Sequence, residues 1–170
     1  VENNYVLKSD IIYGSTFLDS VLDDNDDFKF SKVFKKLNIN IFLNFKKIYL
    51  SKNDYVNNLS AEIQFKQNNI TSVLLNSNYE NNEQLNLSFN ISDSGEKITT
   101  VYSGNAKPLV NKYDFIKGFS EGNLDFYSIK KNNKSKSKLI INNFKLKKLP
   151  VLTKILTLAS LQGAADLLTG

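Results

Sequence analysis

From residue 37 to about residue 102 the chain takes turns between apolar and polar positions. Ile39, Ile41, Leu43 and Phe45 alternate with Asn38, Asn40, Asn44 and Lys46, with Phe42 on the polar side. Leu59, Ala61, Ile63 and Phe65 alternate with Ser60, Glu62, Gln64 and Lys66, and Leu85, Leu87, Phe89 and Ile91 with Asn86, Ser88 and Asn90. Successive side chains of a strand point to opposite faces, so a period of two predicts strands with one face toward an interior and the other toward water. Shorter stretches at 5–12, 70–76, 98–102, 122–128 and 139–146 extend the pattern, the last slipping by one at Asn142 and Asn143. Turns are predicted at Gly14, 53–58, Asn68-Asn69, 78–84 and Ser92 to Gly95, with a lysine and asparagine loop at 130–138; residues 114–119 fit neither period. Roughly seven to nine short strands joined by hairpin-length loops predict an antiparallel meander, twisted and curved, with one apolar face.

The period changes near residue 149. Proline disfavours helix at the residue before it and suits the first helical turn, so a helix is predicted from Leu149 or Pro150. Val151, Leu152, Ile155, Leu156, Leu158 and Ala159 form one stripe at helical spacing, with Thr153, Lys154, Thr157 and Ser160 off it. Beyond Ser160 the stripe crosses to Leu161, Ala164 and Leu168, while Gln162 and Asp166 take the first face. A straight helix cannot bury both faces, so the helical segment 149–169 is expected to bend or break between Ser160 and Gly163, with Ser160 as cap and Gly163 allowing close backbone approach. A helix buried all round is the alternative. A membrane span needs about 20 apolar residues, and Lys154, Gln162 and Asp166 interrupt them. Residues 15–22 also carry Phe17, Leu18, Val21 and Leu22 at the spacing of one or two helical turns. The expected fold class is therefore mainly β with a C-terminal α-helical segment: one β-rich unit, antiparallel strands over 1–148 and helix over 149–169.

Composition narrows the function. The 170 residues suit one domain with a sizeable core. Met is absent and the first residue is Val1, which reads as a segment of a longer chain. The 22 basic residues are all lysine, and Asn and Ile are abundant; AT-rich codons account for that bias, so the net charge of +5 and pI of 9.2 are not a nucleic-acid signal. Without arginine there is no bidentate guanine reader and no planar phosphate fork. Lysines near an anionic membrane still contribute about 1 kcal/mol each. The absence of Cys excludes disulfides and thiolate metal sites, and nothing more.

Candidate chemistry is sparse. Neither His nor Cys is present, which excludes a Ser–His or Cys–His nucleophile within these residues. The carboxylate pairs Glu80 with Glu83 and Glu121 with Asp125 lie in polar, turn-like surroundings that would not raise a carboxyl pKa. Asp23, Asn25 and Asp27 match the first alternating oxygens of a calcium loop, but Phe28 stands where glycine is needed and Phe34 where the bidentate Glu belongs. Gly118 and Gly122 lack the spacing and the Lys-Ser/Thr ending of a phosphate loop. The expectation is a non-enzymatic chain with no metal and no cofactor. A carbohydrate- or nucleic-acid-binding domain is disfavoured by the missing Arg and Trp and by few exposed aromatic pairs.

A D-x-G turn (Asp93, Gly95), a Gly-led strand at Gly122, an I-x-x-F-x-L strand from Ile141 and the run Leu149 to Gly170, with Pro150, Ser160, Gly163 and a closing Leu-x-Gly, come in one order. This resembles the AsmA-like superfamily of Gram-negative envelope proteins, in particular its large YhdP-like members, over about the last 80 residues. The family usually continues past the final Gly, where this chain stops. The resemblance implies a curved β-sheet groove in the periplasmic portion of a protein anchored in the inner membrane, conducting phospholipids toward the outer membrane. The candidates for lining such a groove are Ile39, Ile41, Leu43, Phe45, Ile63, Phe65, Leu87 and Phe89. The expected partners are phospholipid acyl chains, the membrane through other parts of the parent chain, and other envelope proteins. The alternative is a structural or assembly module in which these same residues pack as an ordinary core.

Overall fold

The computed structural model describes residues 3–14, 38–67, 69–112, 118–132 and 134–146. The chain divides into two compact units, residues 1–90 and 91–170.

The first unit is a ladder of β1 (Asn3–Tyr13), β2 (Ile39–Tyr49), β3 (Tyr55–Lys66), β4 (Asn69–Asn78) and β5 (Gln84–Ile91), hydrogen-bonded in that order. The alternating segments form the strands that the pattern predicts, and pairing aligns their apolar positions. Leu7, Leu43, Ala61, Leu75 and Leu87 form one cross-strand row; Tyr5, Ile41, Ile63, Val73 and Phe89 form the next. The opposite face carries the row Lys8, Asn44, Ser60, Asn76 and Asn86. Burial of the first face is the driving force for this arrangement, at about 25 cal/mol per Å² of apolar surface.

Three turns hold the strands in place. Leu50 N–H bonds to the Asp54 carbonyl, and the Ser51 hydroxyl donates to the Asp54 carboxylate at 2.8 Å. The turn therefore closes at Asp54, not over 53–58 as the polar run suggests, and β3 begins at Tyr55. Asn58 instead forms a β-bulge inside β3, at φ 53, where the β3–β4 register shifts. The extra residue explains why Val56 and Leu59, three apart, are both buried. Gln67 takes positive φ at the β3–β4 connection, and Tyr79 to Glu83 closes the next hairpin.

The second unit contains β6 (Lys97–Ser103), β8 (Asn123–Lys131) and β9 (Lys134–Asn142), paired antiparallel in that order. Between them come helix α1 (Lys107–Lys112) and β7 (Phe119–Ser120), which pairs with β10 (Lys145–Leu146). Asn105 caps α1 by accepting the Lys107 N–H on its side-chain oxygen, and Pro108 sits in the first turn.

Two expectations are corrected. The sheet is mixed, because β1 pairs with β2 in parallel, from Asn3 beside Ile39 to Tyr13 beside Tyr49. Parallel neighbours need a crossover of a dozen or more residues, which the long stretch between Gly14 and Asn38 supplies and a hairpin loop could not. Nor do the described residues form a β fold with a long C-terminal helical segment: they are nearly all strand, and the one helix among them is the short α1. The expected segment 149–169, with its bend at Ser160 to Gly163, lies outside the described residues, as do the helical turns at 15–22 and the acidic run at 23–27. A further difference concerns 130–138, expected as a loop: it is the β8–β9 hairpin, turning at Asn132 with φ 54. Beside the turn, over 130–138, both faces carry polar residues, so hydrophobic alternation could not reveal this part of the strands; backbone pairing and a Ser137–Ser128 hydroxyl bond at 2.9 Å hold them.

Candidate functional site

The eight predicted lining residues share one face of the first unit. Ile39, Ile41, Leu43, Ile63, Phe65 and Leu87 are at most 8% exposed, whereas Phe45 and Phe89 are half-buried. The face is thus closed over its middle and partly open beside Phe45 and Phe89. It also has an open margin: the same rows run onto β1, where Tyr5 and Leu7 are 46% and 51% exposed. The two buried serine hydroxyls of the described residues are satisfied, Ser77 by the Leu85 carbonyl and Ser103 by that of Asn105.

The motif residues divide. Asp93 and Gly95 lie in the tight turn before β6, where Gly95 N–H bonds to the Ser92 carbonyl at φ 77. Ser92 closes the turn by accepting the Glu96 N–H on its hydroxyl. Pro150, Ser160, Gly163 and Gly170 lie outside the described residues. The paired carboxylates do not assemble a site. Glu121 is an exposed partner of Lys145 at 2.8 Å, and Glu80 accepts the Tyr55 hydroxyl. Among the described residues no three acidic side chains cluster.

Pairing also builds a feature that the sequence does not announce. Tyr13, Tyr49 and Tyr55 stand side by side across β1, β2 and β3. The first two rings stack at 5.1 Å and the second pair is tilted at 5.7 Å, with Lys47 Nζ 4.1 Å over the Tyr55 ring. Tyr13 is 82% exposed, so one ring of this cluster stands in water, while Tyr49 and Tyr55 are half-buried. Tyr13 and Tyr55 fall outside the expected strand at 5–12 and inside the expected turn over 53–58, and that the three meet depends on the parallel β1–β2 and antiparallel β2–β3 registers, so the cluster is not legible in the sequence.

The Glu80 hydrogen bond holds the Tyr55 hydroxyl above the usual phenol range. A raised folded-state value means that the unfolded chain loses its proton first. The contribution is therefore complete below about pH 10 and disappears as pH rises through the folded value. Tyr55→Phe is expected to flatten the fall in stability above pH 10, measured by urea denaturation from pH 8 to 11; an unchanged slope would show that Tyr55 is not its source.

Compared with family models, curated proteins and solved structures, the chain matches none.

Proposed function

We propose that the chain is a non-enzymatic module of a bacterial envelope protein, part of an inter-membrane phospholipid conduit in which acyl chains lie on the apolar face of the first unit. The observation that carries this reading is the pair of apolar rows crossing five strands, Leu7 to Leu87 and Tyr5 to Phe89, without one charged side chain. Such a surface shields hydrocarbon at about 25 cal/mol per Å² and needs no catalytic group. Acyl chains enter along its incompletely covered parts, at Phe45, Phe89, Tyr5 and Leu7, because the central residues are already closed. On this reading the module is periplasmic, in a parent chain anchored in the inner membrane of a Gram-negative bacterium.

The burial of Ile39, Leu43 and Leu87 favours a second reading, a structural or assembly module whose apolar face is simply its core. Photocrosslinkers at Phe45 and Phe89 of the intact parent protein in cells separate the two. The lipid reading expects phospholipid adducts at both positions and few at Asn44, which faces the other way. Protein adducts alone, or lipid adducts as frequent at Asn44, would leave the assembly reading standing.

A further inference from the structure

The outer edge of β1 is complementary to itself. Read outward from Ser9, the strand has Lys8 against Asp10, Leu7 against Ile11, Val6 against Ile12 and Tyr5 against Tyr13. Each position therefore meets its chemical match when the strand is laid antiparallel on a second copy with Ser9 opposite Ser9. The strand is open enough to be used this way: Tyr5, Val6, Leu7, Ile11 and Tyr13 are 46%, 56%, 51%, 55% and 82% exposed. Its other edge is taken by β2, and among the described residues no strand pairs beyond it.

We infer that β1 is the interface of a symmetric dimer, pairing antiparallel with β1 of a second copy about a two-fold axis through Ser9. The partner is fixed by charge. A lone lysine in the middle of an edge strand normally discourages pairing. Here Lys8 meets the partner's Asp10, and the partner's Lys8 meets Asp10, giving two opposite-charge pairs. Shifting the centre by one position to Lys8 would oppose lysine to lysine, so the arrangement selects one register. Asp10 remains able to take part while it pairs with Lys46: that bond, at 2.8 Å, uses one carboxylate oxygen of a side chain that is 79% exposed. Within each copy Tyr5 and Leu7 lie on the buried face of the sheet, beside Ile41 and Leu43, whereas beyond Asp10 the inward position passes to Ile12, beside the buried Ile48, and Ile11 and Tyr13 take the other face; the charge pairs, not a continuous apolar row, carry the pairing. The inference does not rest on the lipid reading.

Sedimentation equilibrium of the chain from roughly 1 to 100 µM tests it, since a single edge-to-edge pairing is a small interface of micromolar strength. The expected result is a monomer–dimer equilibrium. Lys8→Asp, which leaves the Asp10–Lys46 pair intact, should weaken the dimer at least about tenfold, as should Asp10→Lys; mixing the two variants should restore a heterodimer. The chain has no cysteine, so Ser9→Cys adds one thiol, and a short bifunctional thiol reagent should couple two copies through it. A chain that stays monomeric at 100 µM overturns the inference. So does a dimer indifferent to Lys8→Asp, or one in which Cys at position 9 does not couple.

Discussion

Replacing Gly122 with alanine is expected to destabilise the second unit by about 2–4 kcal/mol, from backbone strain plus a clash that cannot relax. Gly122 holds φ 90, outside the range of ordinary side chains, and an added Cβ would lie 2.7 Å from the Asn142 carbonyl oxygen and 3.0 Å from Phe144 Cβ. The Asn142 contact is with backbone, so no rotamer change relieves it. The surroundings depend on that close approach. The Gly122 carbonyl accepts the Ala106 N–H at 2.8 Å where the chain enters α1, and Phe144 stacks on Phe119 at 5.7 Å beside the β7–β10 pair. Gly95→Ala is the control, because Gly95 also has positive φ (77) but its added Cβ would meet nothing within 4 Å. It should cost only about 1 kcal/mol, the strain alone. Urea denaturation followed by far-UV circular dichroism measures both. Equal losses for the two variants would mean that the contact with Asn142 and Phe144 contributes nothing.

Leu75→Ala is expected to destabilise the first unit by about 2–5 kcal/mol, whereas Leu74→Ala should stay within about 0.5 kcal/mol. The residues are neighbours in β4, but Leu75 is 1% exposed, between Ala61 and Leu87, and Leu74 is 51% exposed, between Glu62 and Ser88. Removing three carbons beside the small Ala61 leaves a cavity with little nearby to fill it. The same deletion at Leu74 opens onto water. Comparable losses at the two positions, again by urea denaturation, would show that the assigned faces are wrong.

The contrast between Leu74 and Leu75 was legible before any coordinates, up to a point. Alternation placed β2, β3 and β5 and put Ile41, Ile63 and Leu87 on one face, because a period of two leaves a strand no other way to bury its apolar side chains. In β4 the run Val73, Leu74, Leu75 is apolar throughout, so only pairing with β3 and β5 decides which leucine is inside. The shared face of the candidate lining residues was legible for the same reason as the strands. Their closure over the middle, and the open margin at Tyr5 and Leu7, were not, since exposure depends on what covers a face.

The sequence by itself determined which side chains share a face in the regularly alternating strands, and it located turns such as Ser92 to Gly95, because these follow from dihedral preferences and solvation within a few residues. Tertiary structure decided what requires distant segments to meet. It set β1 parallel to β2, extended the polar β8–β9 hairpin through 134–138, and stacked Tyr13 on Tyr49. It also brought Asn142 and Phe144 against Gly122. Hydrophobic pattern specifies what is buried; backbone hydrogen bonding, indifferent to side-chain type, specifies who lies beside whom.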